Sequence, residues 1–149
     1  RIEEIASGLL DQLPKRFALA GLSMGGIVAM EILRRAPDRI TRIALIDTNP
    51  LAETPVVAAN REPQIVKVRS GRLLEVMRDE MKPSYLAPGP HRSAHDQLCP
   101  VKRHEFMAEL IPFAQLVVLE HSGHLPTLEQ PAETTAALRE WMQQPLVLR

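Results

Sequence analysis

Phe17-Ala18-Leu19-Ala20-Gly21-Leu22-Ser23-Met24-Gly25-Gly26 reads as a buried strand that turns sharply into a helix, with a serine at the apex. A G-x-S-x-G pattern carries physical meaning because a serine on so tight a turn sits in strained backbone, tolerable only where its neighbours lack clashing side chains. Gly21 and Gly25 are those neighbours, and Gly26 leaves room for close helix packing. The turn lifts the Ser23 hydroxyl above the strand end. It also turns the Met24 backbone N–H and the helix N-terminus toward any negative charge that develops there. Both effects suit acyl transfer. Background Gly and Ser frequencies would produce the pattern by chance roughly one time in twenty in a chain this long, so its flanks decide. An apolar run precedes it, and Met24 to Leu33 follows as an apolar helix ending near Arg34-Arg35-Ala36-Pro37.

Outward from the elbow, residues 2–13 place Ile2, Ile5, Ala6, Leu9, Leu10 and Leu13 on one stripe of a helix that Pro14 ends. On the other side, Arg42-Ile43-Ala44-Leu45-Ile46-Asp47 is a second short run rich in branched residues. Helix, strand, helix, strand is the order expected of an α/β fold, a mostly parallel sheet flanked by helices. From Asn49 the character changes. Pro50, Pro55, Pro63, Pro83, Pro88 and Pro90 punctuate the chain, and the periodicity of Leu73, Leu74, Met77 and Met81 predicts one or two helices in an excursion from the sheet. Residues 101–110 read as a helix and Gln115-Leu116-Val117-Val118-Leu119 as a third strand. Pro131 opens a last helix whose buried side is expected to include Ala137, Leu138, Trp141 and Met142.

The totals narrow the class. A chain of 149 residues makes one domain with a real core, and 18 basic against 18 acidic residues give no sign of a nucleic-acid partner. No apolar run approaches the roughly 20 residues of a membrane span, so no membrane partner is expected. The single Cys99 excludes an internal disulfide and fits a reducing, cytoplasmic location.

Three segments in this order resemble the α/β-hydrolase fold superfamily, in its esterase and lactonase-like branch with a helical cap. They are Gly21-Leu22-Ser23-Met24-Gly25-Gly26, then Asp96-Gln97-Leu98-Cys99-Pro100, then Ser122-Gly123-His124-Leu125-Pro126-Thr127-Leu128-Glu129-Gln130-Pro131. Ser, Asp, His is the chain order that accompanies this elbow. The resemblance implies Ser23 as nucleophile, His124 as general base, Asp96 as the acid that orients it, and the Met24 N–H as one oxyanion donor. It divides the chain into a core of residues 1–48 and 91–149 and a cap-like excursion of residues 49–90. Leu22, Leu73, Leu74 and Met77 are then candidates for an apolar substrate wall, and ordinary helix packing is the alternative for the last three.

The chemistry asks for these types, because serine attacks at neutral pH only when a base takes its proton. An imidazole near pKa ~6.5 can take and return that proton, and a carboxylate on its other nitrogen fixes the tautomer. His121, at the expected strand end, is the rival base; His91, His95 and His104 read as surface or loop residues. For the acid, Asp47 at the end of the second strand stays open beside Asp96, since some members of the fold take their acid from there. No cofactor is needed, and no metal site is expected, since His121 and His124 lie on one turn without a Cys or acidic partner spaced around them.

The pattern also departs from the family. Strands that precede the elbow strand in the family, one of them followed by the loop that donates the second oxyanion N–H, have no counterpart before Phe17. A start at Arg1 without Met reads as a piece of a longer protein, and the excursion between Asp47 and Asp96 reads as shortened. The functional expectation is a serine hydrolase cleaving an ester, thioester or lactone bond of a small molecule. The alternative is a catalytically impaired fragment acting as a scaffold, with a partner chain or a second copy completing the sheet.

Overall fold

A computed structural model describes residues 1–86, 96 and 98–146. The elbow region forms a β–α–β unit: β1 (Phe17–Leu22), α2 (Met24–Arg35) and β2 (Ile40–Ile46), preceded by α1 (Ile2–Leu10). The two strands pair in parallel, Leu19 beside Ile43 and Leu22 beside Ile46. The rungs end at the elbow, where the Ser23 N–H still donates to the Ile46 carbonyl at 2.9 Å.

The apolar stripes foreseen on α1 and α2 meet in one core only in part, since Ile5 and Leu9 of the α1 stripe are exposed. Ala6, Val28 and Ile32 are buried there, with Ile2, Leu10, Phe17, Leu19 and Ile40 packed around them. Because side chains alternate along a strand, Phe17 and Leu19 face this layer while Ala18 and Ala20 remain exposed on the opposite face. Arg39 ties the corner together. Its guanidinium donates to the Leu10, Leu13 and Pro14 carbonyls and lies 5.5 Å from the Phe17 ring centroid, closing the C-terminal end of α1, whose last carbonyls lack helical partners.

The proline-rich excursion folds as α3 (Pro55–Arg69), which Thr54 caps through the Val57 N–H, and a short α4 (Leu73–Glu75). The latter continues into a wide π-helical turn, Val76–Met81, and a 3₁₀ turn, Lys82–Ser84. Its buried residue is Val76, not the Leu73, Leu74, Met77 and Met81 set of the periodicity. Beyond Asp96 come α5 (Val101–Leu110), a short α6 (Pro126–Glu129) and α7 (Pro131–Gln143). His91 and His95 lie outside the described residues.

Two expectations are corrected. Residues 115–119 form no strand: Leu116, Val117 and Val118 run exposed without a ladder partner. A run of branched residues becomes a strand only where a neighbour supplies hydrogen bonds, and the edge of β2 away from β1 is already engaged. The Ile46 carbonyl points to β1, so that of Ile43, three residues earlier, points outward. There it accepts from Trp141 Nε1 at 3.1 Å, while the Arg42 guanidinium donates to the Trp141 and Gln144 carbonyls and clips the end of α7 to the same edge. The second correction concerns α7, whose fully buried residue is Thr134, whereas Met142 is 52% exposed.

Candidate active site

Strand β1 delivers Ser23 to the elbow with φ 53° and ψ −119°, a backbone conformation that L-residues adopt only when the surroundings hold it. The surroundings here are glycines, and they differ from those the motif suggested. A Cβ on Gly21 would lie 2.3 Å from the Gly25 carbonyl oxygen, and one on Gly26 would lie 2.5 Å from Thr48 Cβ and Oγ1; a Cβ on Gly25 would meet open space. Gly21 and Gly26 are therefore the sterically required pair. The Thr48 hydroxyl, fully buried, donates to the Ser23 carbonyl at 2.7 Å, and the Thr48 N–H donates to His104 Nε2 at 3.1 Å. His104 is thus a half-buried residue of α5 that buttresses the elbow, not a loop residue. Burial holds its pKa below the ordinary histidine range, which keeps Nε2 an acceptor.

The chain returns to this point 101 positions later. His124 Nε2 lies 2.7 Å from Ser23 Oγ, and His124 Nδ1 lies 2.7 Å from Asp96 Oδ2. His124 is 4% and Asp96 6% exposed. The other Asp96 oxygen, Oδ1, accepts from the Leu98 and Cys99 backbone N–H groups at 2.7 and 3.0 Å, so the carboxylate can offer Oδ2 in only one direction. The His124 loop is fixed equally firmly. The His124 N–H donates to the Tyr85 carbonyl at 2.8 Å, the Tyr85 ring leans on the imidazole, and the Glu129 carboxylate accepts from the Gly123 and Leu125 N–H groups. His121 takes a left-handed backbone (φ 64°) and is exposed, outside this chain of contacts.

Electrostatics follow from the geometry. The hydrogen bond to Asp96 holds His124 well above the usual imidazole range, with Cys99 adding to the rise against the opposing effect of burial. Burial pushes Asp96 up, but the His124 bond and the two backbone donors outweigh it and leave its pKa below the ordinary value. Asp47, at the end of β2 with φ 40°, sits close enough to feel both groups; burial first, then the Asp96 charge, push its carboxyl up to about 7. The position on His124 Nδ1 belongs to Asp96.

No protein-family profile matches the chain. A pimeloyl-(acyl-carrier protein) methyl ester esterase from Aromatoleum aromaticum is 39% identical over 49 residues, 33% of this chain and 20% of that protein. The chain therefore spans about a fifth of the length of this curated relative. Among solved structures, a thermophilic esterase from Thermogutta terrifontis, determined with malate bound, aligns over 95% of this chain and 72% of its own, with 26% identity and a TM-score of 0.83. The chain belongs to the α/β-hydrolase superfamily. An esterase from Exiguobacterium antarcticum shares the fold at TM-score 0.72 and 18% identity, over 96% of this chain and 71% of its own.

In this α/β-hydrolase, Met24 opens α2 directly after Ser23, and Leu22 ends β1 half-buried directly before it. Leu73 and Leu74 are 51% and 83% exposed, and Met77 is half-buried. The residues that sequence reasoning missed are Thr48, His104 and Tyr85, tied to the site by long-range contact, and Glu129 and Cys99, whose backbone and side-chain bonds lie within the segments of His124 and Asp96. Cys99 also corrects the reading of His124 as lacking metal-type neighbours: one ligand atom each from Asp96, Cys99 and His124 lie within 4.8 Å of one another.

Proposed function

We propose that the chain is a serine hydrolase that cleaves an ester, thioester or lactone bond of a small molecule through an acyl-enzyme on Ser23. The observation that carries this is the unbroken relay Ser23 Oγ, His124, Asp96, with 2.7 Å at each link. His124 Nε2 takes the hydroxyl proton as Ser23 Oγ attacks the carbonyl carbon, then returns it to the departing alcohol. Asp96 keeps the other ring proton on Nδ1 and stabilises the imidazolium. The oxyanion meets the Met24 N–H at the start of α2. A water deprotonated by His124 then attacks the acyl carbon and frees Ser23. A carboxylic ester is the favoured substrate, since the A. aromaticum relative is named for a methyl ester and the T. terrifontis and E. antarcticum neighbours are named esterases. No cofactor enters this cycle.

One observation favours the second reading, an impaired fragment that serves as a scaffold for a partner chain or second copy completing the sheet. Among the described residues the sheet has two strands, and Ala18 and Ala20 face solvent, although parallel sheets are normally covered on both faces. Stopped-flow hydrolysis of p-nitrophenyl acetate separates the two. The hydrolase reading requires turnover that Ser23→Ala lowers by about 10⁴-fold or more; a folded chain with no turnover above the Ser23→Ala background supports the scaffold.

A further inference from the structure

Beside the imidazole stands a group the hydrolytic cycle does not use. Cys99 is a free thiol, 8% exposed, at the start of the turn that leads into α5. Its sulfur, a carboxylate oxygen of Asp96 and a ring nitrogen of His124 form a buried set of three different metal-type donors within 4.8 Å. Thiolate, imidazole and carboxylate are the donors that zinc takes, at about 2.0–2.3 Å each, which asks for donor separations of about 3.3–3.7 Å in a tetrahedral site. To reach it, the 2.7 Å between His124 Nδ1 and Asp96 Oδ2 must open within a set already confined to 4.8 Å.

We propose that Asp96, Cys99 and His124 form an inhibitory site for a thiophilic divalent cation of the zinc class. The cation enters between His124 Nδ1 and Asp96 Oδ2. Oδ1 stays on the Leu98 and Cys99 N–H groups, which aim the carboxylate as outer hydrogen bonds aim metal ligands elsewhere. Starting from the neutral ring, its proton moves from Nδ1 to Nε2 and the thiol proton leaves for solvent; no oxidation state changes. With Nδ1 on the metal and the proton on Nε2, the ring can no longer accept the proton of Ser23, 2.7 Å away. The fourth position of a three-ligand zinc site is left to water. Three protein donors, one of them a thiol that must ionise, suit a reversible inhibitor rather than a structural ion.

This inference rests on the serine-hydrolase reading for its consequence but not for its binding step, and the experiment keeps the two apart. The metal-free chain is titrated with Zn²⁺ alone in competition with a chromophoric chelator, and with Cd²⁺ while the ultraviolet thiolate-to-cadmium absorption is followed. Expected are one ion per chain, the thiolate band, a loss of affinity of about 10-fold or more in Cys99→Ser and Cys99→Ala, and undiminished binding in Ser23→Ala. Ester hydrolysis, each variant referred to its own chelator-treated rate, should be suppressed by Zn²⁺ in the parent and spared in the Cys99 variants. Absence of binding, binding without the thiolate band, or equal affinity in a folded Cys99 variant overturns the site. Zinc binding that needs Cys99 in a chain without esterase activity would uphold the site and remove the hydrolase reading.

Discussion

At the scale of single residues, the two aspartates near His124 have opposite parts, and substitution separates them. Asp96→Asn leaves His124 without a carboxylate on Nδ1 and should lower kcat/KM for an ester by about 10²–10⁴-fold. Asp47→Asn should change it by less than about threefold, since Asp47 does not hold the ring and asparagine tolerates its left-handed backbone (φ 40°). Steady-state kinetics on the two variants check this, and equal losses would reinstate Asp47 as an orienting acid. The pH profile follows from the same contact. Nε2 must be unprotonated to act, and Asp96 raises the imidazole, so activity should rise with pH on a limb whose midpoint lies above ~6.5. In Asp96→Asn the residual activity should show that midpoint moved down. An unmoved limb would assign it to another group.

At the scale of elements, the elbow is a strand, a helix and a threonine from the next strand end locked around one strained residue. Gly26→Ala drives a Cβ into Thr48 and displaces the hydroxyl that donates to the Ser23 carbonyl. A loss of about 1–3 kcal/mol of stability and a fall in ester turnover of tenfold or more are expected. Gly25→Ala meets open space and should fold as the parent does, within about 1 kcal/mol. Thermal melts of the two variants decide between this order and one in which the motif glycines 21 and 25 are the sensitive pair.

Why some of this was legible from sequence and some was not is visible in the same elements. The strand, elbow and helix around Ser23, and the segment carrying His124, are written in local patterns of glycine, proline and apolar runs. Gly25 was misread because a motif states spacing, whereas clash depends on which backbone crosses nearby. Residues 115–119 have every local mark of a strand. They fail to form one because pairing depends on the edge of β2, which Trp141 engages from the far end of the chain and Arg42 of β2 clips to α7. Thr48 and His104 reach the site only through folding, so no spacing announces them.

At the scale of the whole molecule, the site is also a seat of pH-dependent stability. His124 is raised above its unfolded value, so its contribution is fully present below ~6.5 and lost as pH rises through the folded value. Asp96 is lowered, so its contribution is present above ~3.8 and lost as pH falls through its folded value. Asp47 is raised to about 7, so folding is favoured with its carboxyl protonated and that contribution is lost as pH climbs through about 7. The Asp47 contribution should therefore lower the Tm between pH 4 and pH 7, and the His124 contribution should lower it further above pH 7. Asp47→Asn should recover on the order of 2 kcal/mol at pH 7, and calorimetric scans from pH 4 to pH 7 would show a parallel decline in both proteins if Asp47 were not the cause.

The central claim, a Ser23 hydroxyl activated by His124, is tested most directly by incubating the folded chain with a fluorophosphonate and mapping the adduct by peptide mass spectrometry. The account predicts a single adduct on Ser23, absent in Ser23→Ala and formed at least about 10²-fold more slowly in His124→Ala. A folded chain that takes no label, or one labelled as fast without His124 as with it, would contradict it.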